Sequence, residues 1–149
     1  MTGSTATARE MVDTNVLVYA VDVDAGDKHR RAEELVQQLI GRDALALSAQ
    51  VLNEFFAVAT KPNKPPALPY DRAVQYIKEY ARSSEVLPLN TAVTLRALEA
   101  MPRHGLSLWD ALIWAAAQEN GIAVIYTEDF QHGRDVEGVR FLNPFVDGG

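Results

Sequence analysis

Four carboxylates, Asp13, Glu54, Asp110 and Asp129, each interrupt an otherwise apolar stretch of the chain. A carboxylate in apolar surroundings without a basic partner takes up a proton or binds a cation. Around Asp13 the sequence reads Met11-Val12-Asp13-Thr14-Asn15-Val16-Leu17-Val18, with no Lys or Arg to pair with it. Glu54 shares a helical stripe with Val51 and Val58, Asp110 shares one with Ile113 and Trp114, and Asp129 closely follows the apolar run Ile122 to Tyr126. Such a set suits phosphodiester hydrolysis. That reaction needs a water made nucleophilic at neutral pH and relief of negative charge in the transition state, and two divalent ions roughly 4 Å apart supply both. Hard ions take oxygen ligands, so a cage of three or four acids completed by waters points to Mg²⁺ or Mn²⁺. Asp13, Asp110 and Asp129 would be direct or water-mediated metal ligands, and Glu54 would orient a water or complete the cage. Thr14, Asn15, Ser107 and Thr127 stand beside these acids and would fix their rotamers.

The elements that must position these residues follow from periodicity. Apolar runs of strand length alternate with segments of 3.6-residue period, which predicts an α/β fold with three layers: a central parallel sheet and helices on both faces. Five strands are expected, near Glu10 to Asp13, Ala44 to Leu47, Glu85 to Leu89, Ile122 to Thr127 and Val139 to Leu142. Asp27, Ser48, Asp71, Asn90 and Ser107 are suited to cap helices, and Gly41 and Gly121 to stop them. A helix that follows a parallel strand starts at the strand's carboxyl edge, and one that feeds the next strand ends at the amino edge. All four acids therefore map to the carboxyl edge, where open α/β sheets bind ligands.

The chain has 149 residues and 48% apolar content, which fits one domain with a proper core. The absence of cysteine excludes disulfides, thiolate metal sites and thiol nucleophiles, and fits a reducing cytoplasm. The longest strictly apolar run, Val16 to Val21, is far short of the roughly 20 residues that cross a bilayer. Residues 1–8 read as a frayed Thr/Ser/Ala-rich leader with no signal-peptide core. A soluble, cytoplasmic protein is expected. The net charge of −6 argues at first sight against a nucleic-acid partner, yet neutralising the four acids with cations leaves only −2 on the rest. Lys61 and Lys64, in a proline-rich loop from Lys61 to Pro69, and His132 and Arg134 beyond Asp129 are the candidate phosphate contacts.

Each acid also has a plain structural reading. Asp110 completes an S-x-x-D capping box with Ser107, Glu54 could reach solvent from a helix face, and Asp13 could cap a short helix beginning at Thr14. Asp129 could form an acidic turn with Glu128. Among enzymes, a phosphatase of the haloacid dehalogenase type needs a second acid where this chain has Asn15. Serine-hydrolase and nucleotide-binding folds lack their G-x-S-x-G or glycine-rich motifs here. A non-catalytic module with the same fold is the alternative of a different class.

Four blocks carry a resemblance. They are Val12 to Ala20 with its D-T-N triplet, Ser48 to Phe56 with Asn53-Glu54, Ser107 to Ala111, and Tyr126-Thr127-Glu128-Asp129-Phe130-Gln131-His132-Gly133 leading to Asn143-Pro144-Phe145. In this order the chain resembles PIN-domain ribonucleases, specifically VapC-type toxins of bacterial toxin–antitoxin pairs. The resemblance implies a PIN-like fold, metal-dependent cleavage of RNA, a homodimer and inhibition by a cognate VapB-type antitoxin. It carries the acidic set onto Asp13, Glu54, Asp110 and Asp129, with Thr14, Ser107 and Thr127 as supports.

Overall fold

The computed structural model describes residues 8–147, so the leader expected over residues 1–8 lies outside the described residues apart from Ala8. Strands β1 (Glu10–Val12), β2 (Leu45–Ser48), β3 (Glu85–Leu87), β4 (Val124–Tyr126), β5 (Arg134–Val136) and β6 (Val139–Leu142) form one sheet in the order β3-β2-β1-β4-β6-β5. Every neighbouring pair is parallel except β5 on β6. The helices are α1 (Thr14–Val21), α2 (Asp27–Gly41), α3 (Ala49–Ala59), α4 (Tyr70–Ser83), α5 (Thr91–His104) and α6 (Leu108–Glu119). Helix α1 packs on α2 and α3, α3 on α4, and α5 on α6, which gives the expected three-layer PIN-like arrangement.

Central strands are buried on both faces and read as continuous apolar runs, as in β2, where all four residues are buried. The chain lays β2 and β3 on one side of β1, then returns to lay β4 on the other side. Val12 at the end of β1 pairs in register with Tyr126 at the end of β4. The strand order therefore reverses between two adjacent strands whose carboxyl ends are level, and a crevice opens there. Helix α6 is apolar all round through its middle. Its residues Ala111 to Ala117 are all buried, with Trp114 the largest of them, and its N-terminus faces the crevice.

All five expected strands are present, and a sixth, β5, joins them. Arg134-Asp135-Val136 is too short and polar to show alternation, and it pairs with β6 only because Glu137 and Gly138 turn the chain with φ of 49° and 89°. β3 ends at Leu87 rather than Leu89, because Pro88 has no N–H to continue the ladder. Ser48, Asn90 and Ser107 cap their helices as expected. Asp27 and Asp71 instead lie in the first turns of α2 and α4, behind Gly26 and Pro69, where their charge still complements the helix dipole. The apolar run Val16 to Val21 forms most of α1. Among the described residues no helix is long and apolar enough to cross a membrane.

Candidate active site

A cleft of about 420 Å³ opens at the carboxyl ends of β1 and β4, and Asp13, Glu54, Asp110 and Asp129 all line it. They arrive from four places: Asp13 at the cap of α1, Glu54 in the second turn of α3, Asp110 in the first turn of α6, and Asp129 in the loop past β4. Capping and site roles coincide. Asp13 accepts the Thr14 N–H at 2.7 Å, and the Ser107 hydroxyl accepts the Asp110 N–H at 3.1 Å, so the caps aim both carboxylates rather than consuming them.

Thr127 is the hub of the supports. Its buried hydroxyl donates to Asp13 Oδ2 at 2.9 Å and accepts the Asp129 N–H at 3.1 Å. Asn15 donates from Nδ2 to Asp129 Oδ2 at 3.0 Å, while its Oδ1 accepts the Glu128 N–H at 3.4 Å, so α1 holds the loop that carries Asp129. Ser107 supports Asp110 through the helix cap. Thr14 is buried and lines the cleft, yet its hydroxyl touches no carboxylate. Gln50, which sequence reasoning missed, lies one helical turn before Glu54 and donates from Nε2 to Glu54 Oε1 at 2.6 Å. A Gln four residues from an acid on a helix is the signal that could have found it.

The acids perturb one another. Burial raises the Asp13 carboxyl to about 6, against the charge-favouring hydrogen bonds from Thr14 and Thr127, and the charges of Asp129 and Glu54 push in the same upward direction. Burial also raises Asp110, and the Asp129 charge adds to it, while the Ser107 hydroxyl partly offsets both. Two like-charged neighbours and lost solvation leave Asp13 short of a cation.

The donor set fits a hard divalent ion. It is all oxygen, and two further oxygens of cleft residues, Thr14 Oγ1 and Gln50 Oε1, are buried without a hydrogen-bond partner. Among the described residues no three acidic or imidazole groups converge enough to enclose an ion by themselves.

Over residues 11–134 the sequence matches the PIN domain family. The chain belongs to that family. No curated protein matches it by sequence. Among solved structures it is similar to DNA-bound VapBC from Salmonella typhimurium, at TM-score 0.66 and 20% identity, over 93% of this chain and 99% of the other. The sarcin–ricin loop cleaving toxin VapC20 from Mycobacterium tuberculosis aligns at TM-score 0.65 and 20% identity, over 87% and 98% of the two chains. FitAcB from Neisseria gonorrhoeae aligns at TM-score 0.64 and 22% identity, over 90% and 96%. At these identities the likeness is one of fold.

The remaining candidates of this PIN domain divide by place. Lys64 lines the cleft beside Pro65, whereas Lys61 is exposed outside its lining. His132 accepts the Asn143 N–H on Nδ1 at 2.9 Å, and Arg134 donates to the His104 carbonyl at 2.7 Å; neither lines the cleft. Glu128, next to Asp129, accepts from the Tyr19 hydroxyl at 2.8 Å and pairs with Lys28 at 2.9 Å, so its carboxylate is engaged away from the other acids.

Proposed function

We propose that this PIN domain is a metal-dependent endoribonuclease, the toxin of a toxin–antitoxin pair, acting in the cytoplasm as a homodimer and silenced by a VapB-type antitoxin. The observation that carries the reading is the convergence of Asp13, Glu54, Asp110 and Asp129 from four separate elements on one cleft at the switch point of the sheet. The similarity in fold to VapBC and FitAcB, and to a toxin described as cleaving the sarcin–ricin loop, favours an antitoxin partner and an RNA substrate.

Asp13, Asp110 and Asp129 would hold Mg²⁺ or Mn²⁺. When bound, the ion supplies a water activated at neutral pH and charge relief on the phosphoryl oxygens. Glu54, held by Gln50, would orient the attacking water and accept its proton, or complete the cage. Thr127 and Asn15 keep Asp13 and Asp129 in fixed rotamers, so reorganisation during the reaction is small. Lys64 offers a cation to the phosphate backbone at the rim, with Lys61, His132 and Arg134 further out. The haloacid dehalogenase reading has no support, since Asn15 serves as a donor to Asp129 rather than as an acid.

The test is cleavage of a mixed structured RNA pool by purified protein in Mg²⁺, in Mn²⁺ and in EDTA, beside Asp13→Asn. Metal-dependent cutting lost in the variant is expected, as is growth arrest on expression without an antitoxin, relieved by the same substitution. Folded protein that cuts nothing in either metal, and is tolerated as well as the variant, would overturn the reading in favour of a binding module.

A further inference from the structure

Three aromatic side chains flank the acids in sequence, and the fold uses two of them. Phe130 is buried and stacked on Phe141 at 3.8 Å between ring centroids. Tyr19 meets Phe145 edge-on at 5.2 Å, and its hydroxyl is bound to Glu128. Tyr19 and Trp109 both line the cleft, but Trp109 alone of the three is left open: it is 63% exposed and directly precedes Asp110. An indole on the surface contributes little to the core and exposes apolar area to water, so packing does not explain it.

The same cleft has a second apolar component, formed by Val58, Ile113 and Pro65. It thus combines an acidic, metal-suited set with an aromatic and aliphatic wall, and a nucleotide combines a phosphate with an aromatic base. Resting on the nuclease reading above, we propose that Trp109 is the base-stacking platform of this cleft. It takes an unpaired nucleotide next to the bond that is cut. Inside a duplex both faces of a base are covered by its neighbours, so only a single-stranded segment can lay a base on the indole. Stacking is tolerant of sequence because every base has a π-face; Trp109 therefore selects unpaired RNA rather than a particular base.

The chain has two tryptophans, and the other reports nothing of this cleft: Trp114 is 1% exposed, with Nε1 bound to the Val136 carbonyl at 2.9 Å. A change in intrinsic fluorescence on binding therefore reads Trp109, above a constant background from Trp114. In Ca²⁺, a short single-stranded oligoribonucleotide should quench the emission saturably, the same strand with an abasic centre should quench it far less, and its duplex not at all. Anisotropy of a labelled strand should show Trp109→Ala binding about tenfold more weakly, with Trp109→Phe within about threefold of wild type. In Mg²⁺ the Ala variant should raise KM by a similar factor while kcat stays within about twofold. Wild-type cleavage accompanied by an unchanged KM in Trp109→Ala, or equal quenching by the abasic strand, would sink the platform and leave the nuclease standing. A wild type that neither binds nor cuts RNA would sink both. A Trp109→Ala protein altered only in self-association or in antitoxin binding would assign the indole to a protein interface instead, and would also overturn the proposal.

Discussion

The Thr127 hydroxyl donates to Asp13 Oδ2 at 2.9 Å, joining the ends of two adjacent parallel strands through one side chain. The same oxygen accepts the Asp129 N–H, so a single hydroxyl fixes two of the four acids. Thr127→Val keeps the shape and removes both bonds. Cleavage should fall about 10- to 100-fold, as for other supports of metal-binding carboxylates, and stability by about 1–2 kcal/mol for the buried groups left unpaired. Thr127→Ser should restore most of both. Full activity in the Val variant would show that Asp13 is held by its cap alone.

Asp13 should make the protein less stable as pH rises. Its carboxyl titrates near 6 in the folded chain, because burial outweighs its hydrogen bonds, against 3.8 for an ordinary Asp. Between those values the folded state holds more protons than the unfolded state, so stability declines from about pH 4 to pH 6 and stays lower above. The shift amounts to about 3 kcal/mol at neutral pH. Asp13→Asn keeps an amide oxygen to cap α1 and removes the charge, so at pH 8 the variant should melt several degrees above wild type while being inactive, and at pH 4 the two should coincide. Identical melting curves at pH 8 would mean that the Asp13 charge is well solvated.

Divalent ions should reverse that penalty. Mg²⁺ at about a hundred times its Kd should stabilise wild type by about 2.7 kcal/mol, an effect abolished by EDTA. In Asp13→Asn and Asp129→Asn the thermal shift should shrink markedly. A shift of equal size in all three proteins would place the ion elsewhere.

Glu128 and Asp129 are neighbours with different duties. The Glu128 carboxylate is bound by Tyr19 and Lys28, and the Lys28 ammonium also lies over the Tyr19 ring at 5.0 Å. Glu128→Gln should leave cleavage within a few-fold of wild type, whereas Asp129→Asn should lose it by two orders of magnitude or more. Comparable losses would show that both acids serve the metal.

Lys64 and Lys61 separate by the salt dependence of RNA binding. Lys64→Ala should weaken binding and reduce the slope of log K against log salt by about 0.7, the value of one contact to a single strand. Lys61→Ala, outside the cleft lining, should change neither. The reverse pattern would move the backbone path to the outer face of the loop.

The positions of the acids were legible because topology is. Once strands and helices alternate, a carboxylate after a strand, in the first turns of the helix that follows it, or at the start of a helix that feeds the next strand has only one sheet edge to occupy, and all four in fact line one cleft there. What periodicity missed was local or polar. β5 has no apolar alternation, and its pairing depends on two residues with positive φ. Gln50 matters through one hydrogen bond and one unpaired oxygen, and neither leaves a trace in a hydrophobic pattern. Nor does proximity to the acids along the chain tell a packed ring, such as Phe130, from an open one, such as Trp109.

Helix α6 carries Asp110 in its first turn beside the cleft and continues through seven consecutive buried residues, Ala111 to Ala117. A shift of that acid by even one ångström would have to drag Ile113 and Trp114 through a close-packed interior. The chemistry is thus welded to the least adjustable part of the molecule. The walls beyond it, the proline-rich loop and the exposed indole, bear no such burden. On the proposed function, a lineage built on this scaffold changes the RNA it reads by altering the rim, while the acidic centre stays as it is.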